Sequence, residues 1–190
     1  VALTGPGNFI QSGGTLTMSA AYTQAATGEP VWNMTGGTLT NTGGMTLNGL
    51  FNWDGGTING AGVLATTTTS TSTLGSGTVT LSGTTWDNAG VLDINGAGQL
   101  NIINSGVFTN SGTANYNGSS ATPVTWGGSG LATFNNTGIL SKNIGSLATQ
   151  GMSGNLAFSN TGTVNINSGT FQLTSSGADY AQAPKRWGNI

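Results

Sequence analysis

The sequence predicts an all-β chain wound as a parallel β-helix, a β-solenoid of about 22 residues per coil. Three observations lead there. Small and hydroxylated residues dominate beside strand formers, aromatic residues return at a near-constant interval, and apolar and polar residues alternate between the turns.

Composition bounds everything else. The 190 residues include 34 Gly, 32 Thr, 21 Asn and 18 Ser, more than half the chain in four residue types. Disordered chains show a similar bias, but they are rich in charge and Pro and poor in β-branched residues. Here eight residues are charged and four are Pro, while Thr, Val and Ile are plentiful. Thr and Val favour a pleated strand, and Gly and Asn supply the backbone conformations of tight turns.

The same inventory excludes several classes of function. With neither Cys nor His in the chain, there is no disulfide, thiolate metal site, Ser-His-Asp triad, Cys-His pair or His-based zinc site. No motif asks for a cofactor. The acids are Glu29, Asp54, Asp87, Asp93 and Asp179, and Lys142 is the one base ahead of Lys185 and Arg186. A chain so poor in positive charge cannot neutralise many phosphates, which argues against nucleic acid and anionic membrane surfaces alike. No apolar run approaches the length of a membrane-spanning helix. The chain opens on Val without a signal-like segment and reads as a mature or excised piece.

The repeat emerges from the aromatics. Trp32, Trp53, Trp86, Phe108, Phe134 and Phe158 each open a similar segment, at intervals of 21, 33, 22, 26 and 24 residues. The long interval contains ATTTTSTSTLG (65–75), read as a Thr/Ser-rich insertion loop whose removal restores a period of about 22. A polar residue always follows the aromatic. The last four copies continue with Asn88, Asn110, Asn136 and Asn160, then a small residue, then Gly90, Gly112, Gly138 and Gly162. The expected assignment is a core column of the six aromatics, a ladder of the four Asn side chains, and four turn glycines. Asn and Gly tolerate the left-handed region, so Asn-x-Gly ends one strand and leads into the next.

Alternation follows each turn. TVTLS (78–82), TVNIN (163–167) and TFQLT (170–174) place Val79 with Leu81, Val164 with Ile166 and Phe171 with Leu173 on one face. A sandwich would alternate too, but the constant period and like residues in like places favour stacked coils. Strands about 4.8 Å apart then bring equivalent residues into columns. One solenoid is expected over 1–183, with a tail over 184–190 that could contact a neighbouring subunit.

FNWDGGTINGAG (51–62) and FSNTGTVNINSGTFQL (158–173) resemble the repeats of large secreted bacterial β-solenoid surface proteins. These are the adhesin-like and autotransporter-passenger-like chains rich in GTxxNxG segments. The resemblance runs from Gly14 to Leu173. It implies a right-handed parallel β-helix exported to the cell surface or beyond, and it carries over no catalytic residue.

Carboxylates are the remaining candidates for chemistry. Asp54 and Asp87 both follow a Trp and would share a column, within reach of a retaining glycosidase pair or a bridged calcium ion. Other coils place Asn, Thr or Ser there, so the position reads as an ordinary polar one and the chain as no enzyme. The run TTTTSTST (66–73) could offer hydroxyls to ice, but such a lattice must recur on every coil, and here Thr is bunched in one insertion. Trp126 and Tyr116, if exposed, could stack on sugars. Asn33, Asn117 and Asn135 each begin a triplet that fits a glycosylation acceptor.

The two ends look like copies of one phrase. GGTLTMSAAYTQAA (13–26) and SGTFQLTSSGADYAQAP (168–184) agree down to Tyr22 and Gln24 against Tyr180 and Gln182, the expected end-to-end contact. A solenoid exposes strand edges at both ends. Matching ends suggest either a piece of a longer array or subunits stacking head to tail into an open fibre. The expected function is a non-enzymatic extracellular structural protein at the bacterial cell surface: an adhesin stalk, a matrix component or a filament subunit. Its partners would be copies of itself, the rest of a longer array, or cell-surface glycans. The alternatives are a carbohydrate-binding or carbohydrate-degrading β-helix and an ice-binding solenoid.

Overall fold

The computed structural model describes residues 7–24, 31–143, 145 and 147–175. These residues form 23 strands and no helix. The strands are short because each stretch of sequence offers only two or three inward side chains before a Gly or Asn corner.

In chain order the first coils supply β1 (Phe9–Gln11), β2 (Thr15–Met18), β3 (Tyr22–Thr23), β4 (Trp32–Met34), β5 (Thr38–Asn41), β6 (Met45–Leu47), β7 (Leu50–Trp53) and β8 (Gly56–Asn59). The middle coils supply β9 (Leu64–Thr66), β10 (Thr71–Leu74), β11 (Thr78–Ser82), β12 (Thr85–Asn88), β13 (Val91–Ile94), β14 (Gln99–Ile103), β15 (Val107–Asn110) and β16 (Thr113–Tyr116). The last supply β17 (Val124–Thr125), β18 (Ala132–Asn136), β19 (Ile139–Lys142), β20 (Thr149–Gly154), β21 (Leu156–Asn160), β22 (Thr163–Ile166) and β23 (Thr170–Ser175).

Every third strand joins the same sheet. The first sheet runs from β1 through β4 to β22, the second from β2 through β5 to β23, and the third from β3 through β6 to β21, all with parallel neighbours. The chain is therefore a three-sided β-solenoid of about 7 coils, roughly 22 residues apart. Parallel strands without crossover helices need this winding, because each strand meets its partner only after a complete coil.

The core is the space the three sheets enclose. In β13 the inward Leu92 and Ile94 are buried while Val91 and Asp93 lie half-exposed on the outer face, the period of two that a pleated strand imposes. In the third sheet Tyr22, Met45, Leu64, Trp86, Phe108, Phe134 and Phe158 occupy one column. Phe108 packs edge-on against Trp86 at 5.0 Å and against Phe134 at 4.9 Å, and Phe134 meets Phe158 at 5.4 Å. Such contacts add roughly 0.5–1.5 kcal/mol each beyond the burial of area.

Two sequence expectations need correction. Trp32 and Trp53 are buried, but they lie in the first sheet, where Trp32 opposes Phe51 and Trp53 opposes Met34. They share a column neither with each other nor with Trp86. All three sheets face one core, so a large ring fits any inward position, and the third-sheet places ahead of Trp86 are filled by Met45 and Leu64. The interval from Trp53 to Trp86 is one coil and two further sides, from β7 to β12, rather than a coil with an insertion. Residues 65–75 accordingly belong to a regular coil: Leu64 pairs with Met45 and Trp86, and Thr71 with Leu50 and Val91.

Candidate functional site

The most elaborated chemistry of the molecule lies at the corner between the third and first sheets. Asn88, Asn110, Asn136 and Asn160 stand in register at the ends of β12, β15, β18 and β21. The Nδ2 of each donates to the Oδ1 of the next, at 2.8 Å, 2.7 Å and 2.6 Å. The row is extended backwards by Thr66, whose hydroxyl donates to Asn88 Oδ1 at 2.8 Å and accepts the Trp86 indole N–H at 3.1 Å. Spare amide hydrogens reach backbone carbonyls, Asn110 to Ile139 and Asn136 to Thr163. A buried amide is tolerated only when so satisfied, and a chain of bonds pointing one way polarises itself.

Gly90, Gly112, Gly138 and Gly162 follow this ladder, for a reason other than the one expected. None has positive φ; that conformation belongs to other glycines, such as Gly37 and Gly56 at the corner between the first and second sheets. A Cβ on Gly112 would lie 2.1 Å from the Gly90 carbonyl oxygen, and one on Gly138 would lie 2.2 Å from that of Gly112. Close stacking of successive corners, not a left-handed turn, excludes any side chain.

A second ladder, which the aromatic-anchored alignment passed over, runs along the end of the first sheet. Asn117 donates to Asn95 at 3.2 Å, Asn143 to Asn117 at 2.7 Å, and Asn167 to Asn143 at 2.9 Å. Asp93 joins it, its Oδ1 accepting from Asn115 and Asn117. The donors of this row point towards the first coils, whereas those of the inner row point towards the last. Its signal was present in the sequence, since Asn95, Asn117, Asn143 and Asn167 carry the same spacing as the phenylalanines.

Two ionisable groups are buried in the first sheet. Tyr116 and Lys142 are neighbours in one column. Tyr116, fully buried, has a hydroxyl without a hydrogen-bond partner, and burial pushes its acidity well outside the ordinary range, towards the protonated form. Lys142 is 1% exposed and donates to the Ser168 carbonyl at 2.7 Å; desolvation lowers its pKa. Tyr116 thus offers no exposed ring to a sugar. Trp126 is half-buried, with its indole N–H committed to the Gly130 carbonyl.

The carboxylates do not converge. Asp87 lies on the outer face of the third sheet between Ala65 and Thr109, while Asp54 sits at the corner after β7 and accepts the Gly75 amide at 2.8 Å. The expectation of a shared column fails because their two preceding tryptophans lie on different sheets. Among the described residues no three acidic groups gather to hold a metal. Of the triplets at Asn33, Asn117 and Asn135, the first two have their amides tied into side-chain rows, Asn33 accepting from Asn52.

Threonines are periodic, not bunched. On the outer face of the second sheet Thr15, Thr38, Thr57, Thr80, Asn101, Thr125, Ser153 and Thr174 form a single column of eight. Beside it run Thr17, Thr40, Asn59 and Ser82. Of the expected end contacts, Tyr22 opens the third sheet, 5.3 Å from the Trp32 ring. Gln24 is buried and accepts the amides of Asn48 and Gly49. Tyr180 and Gln182, with the tail over 184–190, lie outside the described residues.

The fold alone therefore defines the class, a β-solenoid with internal amide ladders. No family model matches the chain, and neither a curated protein nor a solved structure matches it.

Proposed function

We propose that the chain is a non-enzymatic structural protein of the bacterial cell surface or extracellular space, an adhesin stalk, matrix component or filament unit that assembles by stacking coil on coil. One observation carries this reading. The terminal strands β1, β2 and β3, and β22, β23 and β21 at the other end, contain no charged residue and no Pro, and each has a partner on one side only among the described strands. Natural sheets usually blunt such edges with charge, Pro or a covering element. Among the described residues these end strands carry exposed apolar side chains, Ile10 at 66% and Leu173 at 44%. A heterologous contact of one end with the other does not close, so it yields a fibre.

Sedimentation velocity over a concentration series tests the proposal. Wild type is expected to associate progressively, and Ile10→Lys with Leu173→Lys to stay monomeric with the same circular dichroism. A wild-type chain that remains a monomer throughout the series refutes end-to-end assembly.

A further inference from the structure

The outer face of the second sheet points to a ligand of its own. We propose that this face binds ice, through the threonine rows of the first four coils: Thr15 with Thr17, Thr38 with Thr40, Thr57 with Asn59 and Thr80 with Ser82. The argument starts from what the eight strands of the sheet leave out. None contains an Asp, Glu, Lys or Arg. In the first four coils every outward residue between Thr15 and Ser82 on these strands is a hydroxyl or amide residue.

The hydroxyls are also uncommitted. Whereas the asparagines of both ladders spend their side-chain amides inside the molecule, the hydroxyls of Thr15, Thr17, Thr38, Thr40, Thr57 and Thr80 make no hydrogen bond within the described residues. Their positions are fixed all the same. Register is unbroken from coil to coil, which sets rows about 4.8 Å apart, and alternate residues of one strand stand about 6.6 Å apart. Threonine is β-branched, so χ1 has little freedom, and the stacked neighbours that leave Thr38, Thr57 and Thr80 only half-exposed restrict it further. The result is an uncharged two-dimensional array of hydroxyl and methyl groups in unbroken register, pre-ordered before any contact.

Ice is the partner with that description. Its surface is an uncharged planar repeat of oxygen atoms, and the coil spacing lies close to the oxygen repeat within its hexagonal layers. Water held between the methyls and bonded to the hydroxyls of such a face is already arranged as a crystal layer. A protein partner would ask for charge or protruding apolar groups, and a sugar for an aromatic platform; between Thr15 and Ser82 the outward residues of the second-sheet strands offer neither. The inference is independent of filament formation, because it concerns the side of the coils and not their ends.

The test is thermal hysteresis and inhibition of ice recrystallisation by the full chain, with solution association measured in parallel. Wild type is expected to shape and arrest ice. Thr38→Tyr with Thr57→Tyr is expected to lose that activity at unchanged circular dichroism, while Thr46→Tyr with Thr109→Tyr, on the outer face of the third sheet, keeps it. If tyrosine disturbs the coil, Thr38→Ser with Thr57→Ser keeps the hydroxyls but removes methyls and stiffness, and activity is again expected to fall. Wild type that leaves ice growth unaltered, either second-sheet pair that folds and retains full activity, or retention on crystalline cellulose without any effect on ice would overturn the proposal.

Discussion

The Nδ2 of Asn110 lies 2.7 Å from the Oδ1 of Asn136, although the two residues are 26 apart in the chain. That bond is one rung of a row in which each amide is both donor and acceptor. Removing a member from the middle strands two partners, here the buried Asn110 and the half-buried Asn160. Asn136→Ala leaves Asn110 without its acceptor and Asn160 without its donor, at an expected cost of about 3 kcal/mol, since each orphaned buried group costs roughly 1–3 kcal/mol. Asn160→Ala, at the end of the row, is expected to cost about 1 kcal/mol. Urea denaturation of both variants checks the gradient, and equal costs would mean that the row does not act as a chain.

The corner glycines make a sharper prediction, because the obstacle is backbone. Gly112→Ala places a methyl 2.1 Å from the Gly90 carbonyl oxygen, and the preceding coil cannot withdraw without breaking its own pairing. The expected loss is about 3 kcal/mol or more. Gly13→Ala, with nothing within 4 Å of the added carbon, is expected to change stability by no more than about 0.5 kcal/mol. Thermal melts of the two variants side by side provide the measurement.

Tyr116 and Lys142 govern the alkaline pH dependence. Burial lowers the Lys142 pKa from its ordinary 10.5, so between its folded value and 10.5 the unfolded chain binds more protons, and stability rises with pH across that window. Burial raises that of Tyr116 above its ordinary 10.0. Above pH 10 the unfolded chain releases the phenolic proton while the folded one retains it, and stability falls. Lys142→Met is expected to remove the rise, and Tyr116→Phe the fall, in denaturation midpoints followed from pH 7 to 11.

Much of the fold was legible in the sequence, and the errors share one cause. Phe108, Phe134 and Phe158 could be aligned because each is followed by Asn and Gly at fixed offsets, and those offsets mark one corner. Trp32 and Trp53 carry no such phrase. Aligning them on ring chemistry alone treated a core filled from three sides as if it had one, which displaced two coils and turned 65–75 into an apparent insertion. Met45 and Leu64, the true occupants, are aliphatic and gave no signal to an aromatic search. The threonine rows were hidden for a related reason. The densest Thr run, 66–73, stands out in the sequence, whereas the periodic residues sit one or two per strand. Tyr116 could not be judged buried without knowing which face of β16 turns inward.

The central claim is that coil stacking, which builds the molecule, also joins molecules. Electron cryomicroscopy of the purified chain over a range of concentrations tests it most directly. The account predicts unbranched filaments one solenoid wide with an axial repeat of about 4.8 Å continuing across subunit boundaries. Dispersed single particles of one-chain size at every concentration would contradict it.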